Sequence, residues 1–191
     1  MSLKNQTKLL FAQELEEMLK TIPMDKIRVV ELCERCNTIP QTFYYHFHDK
    51  YELIAWVFLY DFSQIYADKT PEYSIESITK NLEQMNQRRS FYQKAFTEHS
   101  QNSINEYIQR FNVSSAVHAI ETFTGKKATS NQLYAIKYHS YGSMGLFQEW
   151  LNQKLTITTH DLAVFQYDHT PNFLKDAYQH MPFKSSKIFK N

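Results

Sequence analysis

Residues 29–54 read VVELCERCNTIPQTFYYHFHDKYELI, and this stretch decides the fold of the N-terminal part of the chain. Two short segments with helical apolar spacing flank a turn at residues 36–38, the pattern of two helices joined by a tight connection. Asn37 suits such a turn because Asn tolerates the left-handed conformation that often ends a helix. Pro40 fits the first turn of the next helix, whose N–H groups need no intrahelical partner. The stretch therefore predicts a helix-turn-helix.

Helical patterning continues on both sides of this motif, because apolar residues recur at three- and four-residue steps along most of the chain. The chain has only three glycines, at 125, 142 and 145, so few positions suit the positive-φ turns of β-hairpins. We therefore predict an all-α protein, with Asp25 and Asp49 as caps of the second and fourth helices. The predicted helices cover residues 3–20, 26–35, 39–46, 51–67, 75–88, 90–100, 104–123, 131–154, 160–165 and 172–180.

Composition limits the classes of function. The 191 residues include 21 Lys and Arg against 20 Asp and Glu, so no overall charge favours nucleic acid or an anionic membrane. No apolar run approaches the roughly 18 residues of a membrane span, and the N-terminus lacks the pattern of a signal peptide. Two cysteines are too few for a disulfide framework. We expect a soluble, cytosolic protein without a membrane partner.

The second helix of the motif carries the residues with chemistry. Phe43 and Phe47 are four residues apart and are expected to point inward, which leaves a surface of hydrogen-bonding side chains. Gln pairs with an adenine edge and Thr meets thymine or a phosphate, while Tyr, His and Lys suit phosphate oxygens. These candidates for DNA contact are Gln41, Thr42, Tyr44, Tyr45, His46 and Lys50. The spacing alone is equally compatible with a helical hairpin of an ordinary bundle whose tyrosines are half-buried.

The motif also resembles a known family. The run TFYYHF at 42–47, followed by Asp49-Lys50 and Glu52-Leu53, is similar to the signature of the TetR/AcrR family of bacterial transcriptional regulators. Three later stretches resemble the subgroup that regulates dihydroxyacetone kinase operons: RSFYQKAF at 89–96, YHSYGSMGLFQEW at 138–150 and PNFLKDAY at 171–178. The likeness covers nearly the whole chain and is sharpest at residues 27–60.

This resemblance implies an organisation and a function. Residues 1–50 would form the helix-turn-helix DNA-binding domain, and residues 51–191 a helical domain for effector binding and dimerisation. The protein would be a homodimer that binds a palindromic, double-stranded operator and is controlled by a small molecule or a partner protein. By the resemblance, the DNA contacts would be Thr42, Tyr44, Tyr45, His46 and Lys50, and Gln41 would be a candidate for reading a base.

Three residues depart from the family pattern. Asn37 replaces a turn glycine, and Pro40 replaces a basic or small residue. Ile39 stands where a capping Ser or Asn is common, at a cost of about 1 kcal/mol of helix stability.

The charge balance of the N-terminal part bears on DNA binding. Residues 1–60 hold seven Lys and Arg against eight Asp and Glu, a formal balance of −1. Because phosphate neutralisation supplies most non-specific affinity, DNA binding would require cations to converge on one face. The four candidates for that convergence are Lys4, Lys8, Arg28 and Lys50. A second hypothesis is therefore a protein-interaction co-regulator of the same fold without autonomous DNA binding.

Two sets of residues are candidates for the C-terminal functions. A ligand pocket with aromatic walls and polar tips would use Tyr92, Phe96, Phe111, His118, Tyr138 and His139. The alternative is that these aromatic residues are core. A dimer interface would use Tyr141, Gly142, Gly145 and Trp150. The two glycines each cost roughly 1 kcal/mol in a helix, which suits a close approach of another helix or space for a ligand.

Metal binding and catalysis find little support in the sequence. Cys33 and Cys36 have zinc-like spacing with His46 and His48 nearby, but no second ligand pair follows at suitable separation. The chain has no Gly-x-Ser-x-Gly elbow, no P-loop and no His-Glu-x-x-His. We therefore expect no metal, no cofactor and no enzymatic activity.

Overall fold

The computed structural model describes residues 3–64, 73–97 and 100–180. Within these ranges the regular structure is helical and no strand occurs, which confirms the all-α prediction. A short 3-10 turn at Met24–Lys26 lies between the first two helices. The helices are α1 (Leu3–Leu19), α2 (Val29–Arg35), α3 (Pro40–His46), α4 (Lys50–Gln64), α5 (Ile75–Gln87), α6 (Arg89–Ala95), α7 (Gln101–Thr124), α8 (Ser130–Leu151), α9 (Thr159–Asp168) and α10 (Asn172–His180).

The start of α2 differs from the prediction. Asp25 was expected to cap this helix, but it lies in the 3-10 turn, and the N-cap is Arg28, whose side chain makes no capping hydrogen bond. The reason is that Ile27 and Arg28 are extended and separate the turn from the helix. The expectation for Asp49 is confirmed, because its Oδ1 accepts hydrogen bonds from the N–H groups of Tyr51 and Glu52, both at 2.8 Å.

The bounds of four later helices also differ from the prediction. The seventh begins at Gln101 instead of residue 104, and the ninth ends at Asp168 instead of residue 165. The sixth helix ends at Ala95 instead of residue 100, and Ser100 closes the break by accepting a hydrogen bond from the Thr97 N–H at 3.0 Å. The eighth ends at Leu151 instead of residue 154, because Gln153 adopts a φ of 57°. The predicted continuation of the fourth helix to residue 67 falls outside the described residues.

The chain divides into two compact units, Met1–Phe58 with Arg89–Tyr107, and Leu59–Arg88 with Ile108–Asn191. In the first unit, α1 packs on α2 and α6, and α2 packs on α3. Phe11 of α1 meets Phe43 of α3 edge to face at 5.2 Å between ring centroids. Both rings are fully buried, so this contact fixes α3 against α1.

The second unit is built from α5 and the later helices. Its α5 packs against α9, and a core of small and branched side chains joins α7, α8 and α10. The buried members of this core are Ala116, Ala119, Ile120, Ile136, Leu174 and Ala177. The predicted functional division at residue 50 stays a prediction, because packing does not show which part binds a ligand.

Candidate nucleic-acid interface

The turn between α2 and α3 is held by backbone hydrogen bonds. Asn37 has a φ of 51°, the left-handed conformation expected for it. The Asn37 N–H donates to the Glu34 carbonyl at 3.1 Å, and the Thr38 N–H donates to the Cys33 carbonyl at 2.9 Å. These two bonds satisfy carbonyls that the end of α2 would otherwise leave unpaired. The direction of the chain into α3 is thereby fixed.

The start of α3 follows the sequence prediction. Pro40 occupies the first turn, where its missing N–H costs nothing. Ile39 is the N-cap and makes no side-chain capping hydrogen bond. Its side chain is 59% exposed.

One face of α3 is buried and the other is open. Phe43 and Phe47 are buried as predicted, and their rings are 5.6 Å apart between centroids. Tyr44 and Tyr45 are 57% and 66% exposed. Gln41 is exposed and Thr42 is partly exposed. The structure therefore brings four of the six predicted DNA contacts to the accessible part of this helix.

His46 differs from the expectation of a surface position, since only 8% of it is exposed. It is three residues after Phe43, and residues three and four apart share a helix face. The same spacing that buries Phe47 therefore turns His46 toward the core. Its ring lies edge-on to that of Tyr45, with 5.0 Å between centroids.

Lys50 makes internal hydrogen bonds that the sequence did not indicate. Its Nζ donates to the carbonyls of Met24 at 2.7 Å, Asp25 at 3.0 Å and Ile27 at 2.7 Å. Burial lowers the pKa of Lys50, although the charges of Asp25 and Asp49 oppose that shift. A lysine ammonium has three donors, so these bonds occupy all of its protons. Its role as a phosphate contact stays a prediction.

The other cations considered for phosphate contact are also engaged within the chain. Lys8 is buried, and its Nζ lies 5.2 Å and 5.6 Å from the ring centroids of Phe47 and Trp56. Arg28 is exposed and its Nε donates to Glu31 at 3.0 Å. The structure does not describe the side chain of Lys4. Of these four candidates, the three whose side chains the structure describes are therefore engaged within the chain.

The two cysteines are part of the core of the first unit. Both are buried, and the Cys36 thiol lies 3.9 Å from the Leu10 carbonyl. Burial raises the pKa of Cys33, and burial with the charge of Glu14 raises the pKa of Cys36 to about 12. Thiols with raised pKa values are poor nucleophiles and poor metal ligands at neutral pH. Within the described ranges, no three His, Cys, Asp or Glu side chains come together around a possible metal position.

The six predicted pocket residues do not line one site within a single compact unit. Tyr92 and Phe96 are buried in the first unit, with 6.2 Å between their ring centroids. The other four belong to the second unit, where Phe111 is buried and Tyr138 is 84% exposed. His118 is also exposed.

His139, the sixth, belongs to a polar chain that the sequence did not reveal. Thr170 is buried, and its Oγ1 lies 2.8 Å from the Tyr73 hydroxyl and 3.3 Å from His139 Nε2. Burial lowers the pKa of His139, and the positive charges of His169 and Lys175 lower it further. Tyr73 and Thr170 are far apart in sequence and follow no motif, so no sequence signal identified the chain.

The helix α8 has one open face. Its Tyr134, Tyr138 and Tyr141 are exposed, and so are Gly142 and Gly145. A Cβ added at either glycine would meet nothing within 4 Å. Nothing within the described chain therefore requires glycine there.

Trp150, the remaining predicted dimer residue, differs in placement. It is buried beside Phe147, with 6.0 Å between the ring centroids, so little of its surface is left for a partner. The position follows from the helix period, because Trp150 is three residues after Phe147. Across the residues that the structure describes, no helix combines the length and apolar character of a membrane crossing.

Comparisons with known proteins place the chain in a family. The TetR-type family model described as "Transcriptional regulator C-terminal region" matches residues 72–169. The chain is 25% identical over 91 residues to the HTH-type dhaKLM operon transcriptional activator DhaS of Lactococcus lactis subsp. lactis (strain IL1403). That alignment covers 47% of this chain and 49% of the relative, so the chain spans about half the length of the curated relative it matches.

A solved structure, the dihydroxyacetone kinase operon activator DhaS, is also similar, with 16% identity and a TM-score of 0.49. The structural alignment covers 85% of this chain and 92% of the DhaS chain. The matching family model describes transcriptional regulators, and the curated relative is named as an operon transcriptional activator. Because the family model alone matches just over half of the chain, the protein belongs to the TetR family of transcriptional regulators.

Proposed function

We propose that the protein regulates transcription by binding operator DNA through the exposed face of α3. The observation that carries this proposal is the arrangement of α3 itself. Phe43 anchors the helix in the core, while Gln41, Thr42, Tyr44 and Tyr45 remain accessible. A helix fixed on one side with hydrogen-bonding groups on the other is what major-groove reading requires. The family membership and the HTH-type relative support this reading.

The proposed contacts have different roles. Gln41 would pair with a base edge, and Thr42 would meet a thymine methyl or a phosphate. The hydroxyls of Tyr44 and Tyr45 would bind phosphate oxygens and set the register. His46 and Lys50 would act as positioning residues, since His46 is buried and Lys50 bonds to the carbonyls before α2.

We propose that the regulator is a homodimer that pairs through the open face of α8. Three exposed tyrosines and two glycines lie on this helix, and the glycines have no packing reason within the described chain. A second copy approaching closely would explain both features. Two copies related by a two-fold axis would present two α3 helices to the half-sites of a palindrome. Trp150 is left out of this interface because it is buried.

The second unit is the proposed place of control by a small molecule or a partner protein. Phe111 and His139 remain its candidate contacts, since they combine an apolar wall with a polar tip. An effector would act by favouring one spacing of the two α3 helices over another. The curated relative is named as an operon transcriptional activator, which supports the proposal that this chain controls an operon. A regulator of this kind would work in the cytoplasm.

The proposal is tested by capturing DNA fragments from the source genome with the purified full chain and sequencing them. We expect enrichment of a small set of fragments that share a palindrome. Tyr45→Ala should lose this enrichment because it removes an exposed ring and hydroxyl from α3. Phe123→Ala is the matched control, since it removes an exposed ring from the other unit. Absence of enrichment at low salt would overturn the proposal.

One set of observations favours a second candidate, a co-regulator that acts through a protein partner. Lys8 is buried, Arg28 is paired with Glu31, and Lys50 is bonded internally, so these three candidates offer little attraction for phosphates. A co-regulator would retain a specific protein from a lysate and retain no DNA at low salt. The fragment capture therefore separates the two candidates.

A further inference from the structure

Ile39 carries two unfavourable features at one position. It is the N-cap of α3 without a capping side chain, where Ser or Asn would stabilise the helix. It also leaves a branched apolar side chain 59% exposed. The exposed part of this side chain is accessible for contact with a molecule outside the chain.

Gln41 is two residues further on and is also exposed. No side chain among the described residues hydrogen bonds to its amide. A free carboxamide both donates and accepts, and the matching base edge is adenine, with its N6 donor and N7 acceptor. An exposed apolar side chain matches the C5 methyl group of thymine.

A guanine-reading side chain is missing from α3. The commonest specific contact to guanine uses Arg or Lys against O6 and N7, and residues 40–46 contain neither. Lys50, just beyond, gives its three protons to backbone carbonyls. Base recognition by this helix therefore depends on apolar contact and on the amide.

We infer that α3 reads A·T base pairs, with Ile39 against a thymine methyl group and Gln41 against an adenine edge. The inference rests on the proposed function and makes it specific. The bases under each α3 helix form an A·T-rich stretch of the half-site, and guanine at those positions is not favoured. In this inference, Ile39 and Pro40 differ from the family pattern because the protein prefers different bases, and they do not indicate that DNA binding is lost.

The test begins with sites selected from random-sequence duplex DNA by the purified full chain. Each thymine of a selected site is replaced in turn by deoxyuridine, which lacks only the methyl group. Fluorescence anisotropy then gives the affinity of the wild-type protein and of Ile39→Ala for each duplex. The same series with 7-deazaadenine, which lacks the N7 acceptor, is measured with wild type and Gln41→Ala.

We expect the wild type to lose about four-fold in affinity at one thymine per half-site, as for the burial of one methyl group. Ile39→Ala should bind thymine and deoxyuridine equally at that position. At one adenine per half-site, 7-deazaadenine should cost the wild type about five-fold and Gln41→Ala nothing further. Thymines elsewhere in the site serve as internal controls and should respond equally in all proteins.

Two results overturn the inference while leaving the proposed function standing. One is a selected site with G·C pairs at the positions that respond to substitutions in α3. The other is an affinity that no deoxyuridine replacement changes. A protein that selects no DNA at low salt overturns the proposed function and this inference together.

Discussion

At the scale of the residue, Lys50 acts as a structural donor. Its Nζ donates to three carbonyls in the segment that leads into α2, and its charge is partly withdrawn from water. These bonds tie the start of α4 to the segment before α2. A change at Lys50 should therefore alter folding as well as DNA affinity.

We predict that Lys50→Met lowers the free energy of unfolding by about 1–3 kcal/mol, because three carbonyls lose their charged donor. Urea denaturation followed by circular dichroism measures the change. Lys26→Met is the control, since its side chain is 74% exposed and its loss should change stability by less than about 0.5 kcal/mol. Equal stability of Lys50→Met and the wild type would show that Lys50 has no structural role.

His139 provides a prediction about pH. Its pKa is lowered in the folded protein by burial and by nearby positive charge, and it is ordinary in the unfolded chain. Below about pH 6.5 the unfolded state therefore binds more protons at this site, so acidification favours unfolding. The free energy of unfolding should fall as pH drops below that value, by at most about 1.4 kcal/mol per pH unit from this residue.

The contribution of His139 can be isolated by comparison with His139→Gln. Urea denaturation of both proteins at pH 7.5 and pH 5.5 should show a smaller loss for the variant, because glutamine does not titrate. The difference between the two proteins reports the titration of residue 139 together with its interaction with His169. An equal loss in both proteins would contradict the lowered pKa.

The placement of some single residues could be predicted from the sequence, and that of others could not. Asn37 and Pro40 were placed correctly because their roles depend on local backbone geometry. His46 could have been placed, since it shares the face of Phe43. Lys50 could not, because its carbonyl partners lie 23 to 26 residues away and follow no pattern in the sequence.

At the scale of the element, α8 carries the proposed dimer contact. Gly142 and Gly145 have space for a methyl group within the described chain, so alanine should stabilise the helix itself. If another copy approaches closely there, the added methyl groups would push it away. Stability of the protomer and strength of association should then change in opposite directions.

We predict that Gly145→Ala raises protomer stability by up to about 1 kcal/mol and weakens self-association by roughly ten-fold. Sedimentation velocity over a range of concentrations measures the association. Glu83→Ala, an exposed change on α5, is the control and should leave association unaltered. Unchanged or tighter association of Gly145→Ala would place the dimer contact elsewhere.

The helices themselves were largely predictable, and their ends less so. Apolar spacing located all ten, but α6 and α8 end earlier than expected. At α8 the end is set by Gln153 in a left-handed conformation, with the Lys154 N–H donating to the Glu149 carbonyl at 2.8 Å. Glutamine gives no sequence signal for this conformation, whereas Gly125, with a φ of 67°, marked its helix end correctly.

At the scale of the whole molecule, the chain has two compact units and belongs to a family of transcriptional regulators. The family was predictable from residues 29–54 because the run TFYYHF and the residues after it resemble the family's signature, whereas the helical spacing alone left an ordinary bundle equally possible. The ligand pocket stays a prediction, because its six candidates divide between the two compact units and packing alone does not show a ligand site.

The near-neutral charge of the first 60 residues affects how DNA binding should depend on salt. If each protomer of a dimer brings about two cations to the phosphates, the dimer neutralises about four of them. The logarithm of affinity should then fall against the logarithm of salt concentration with a slope near −4 or shallower. A steep slope near −10 would mean that basic side chains converge on DNA in a way that the described residues do not show.

The most direct test is an anisotropy titration of the selected operator duplex with wild type, Gln41→Ala and the control Phe123→Ala at low salt. We expect saturation at two protomers per palindrome. Gln41→Ala should lose at least ten-fold in affinity for the duplex, and Phe123→Ala should lose none. Equal affinity of wild type and Gln41→Ala, or no saturable binding by the wild type, would contradict DNA reading through α3.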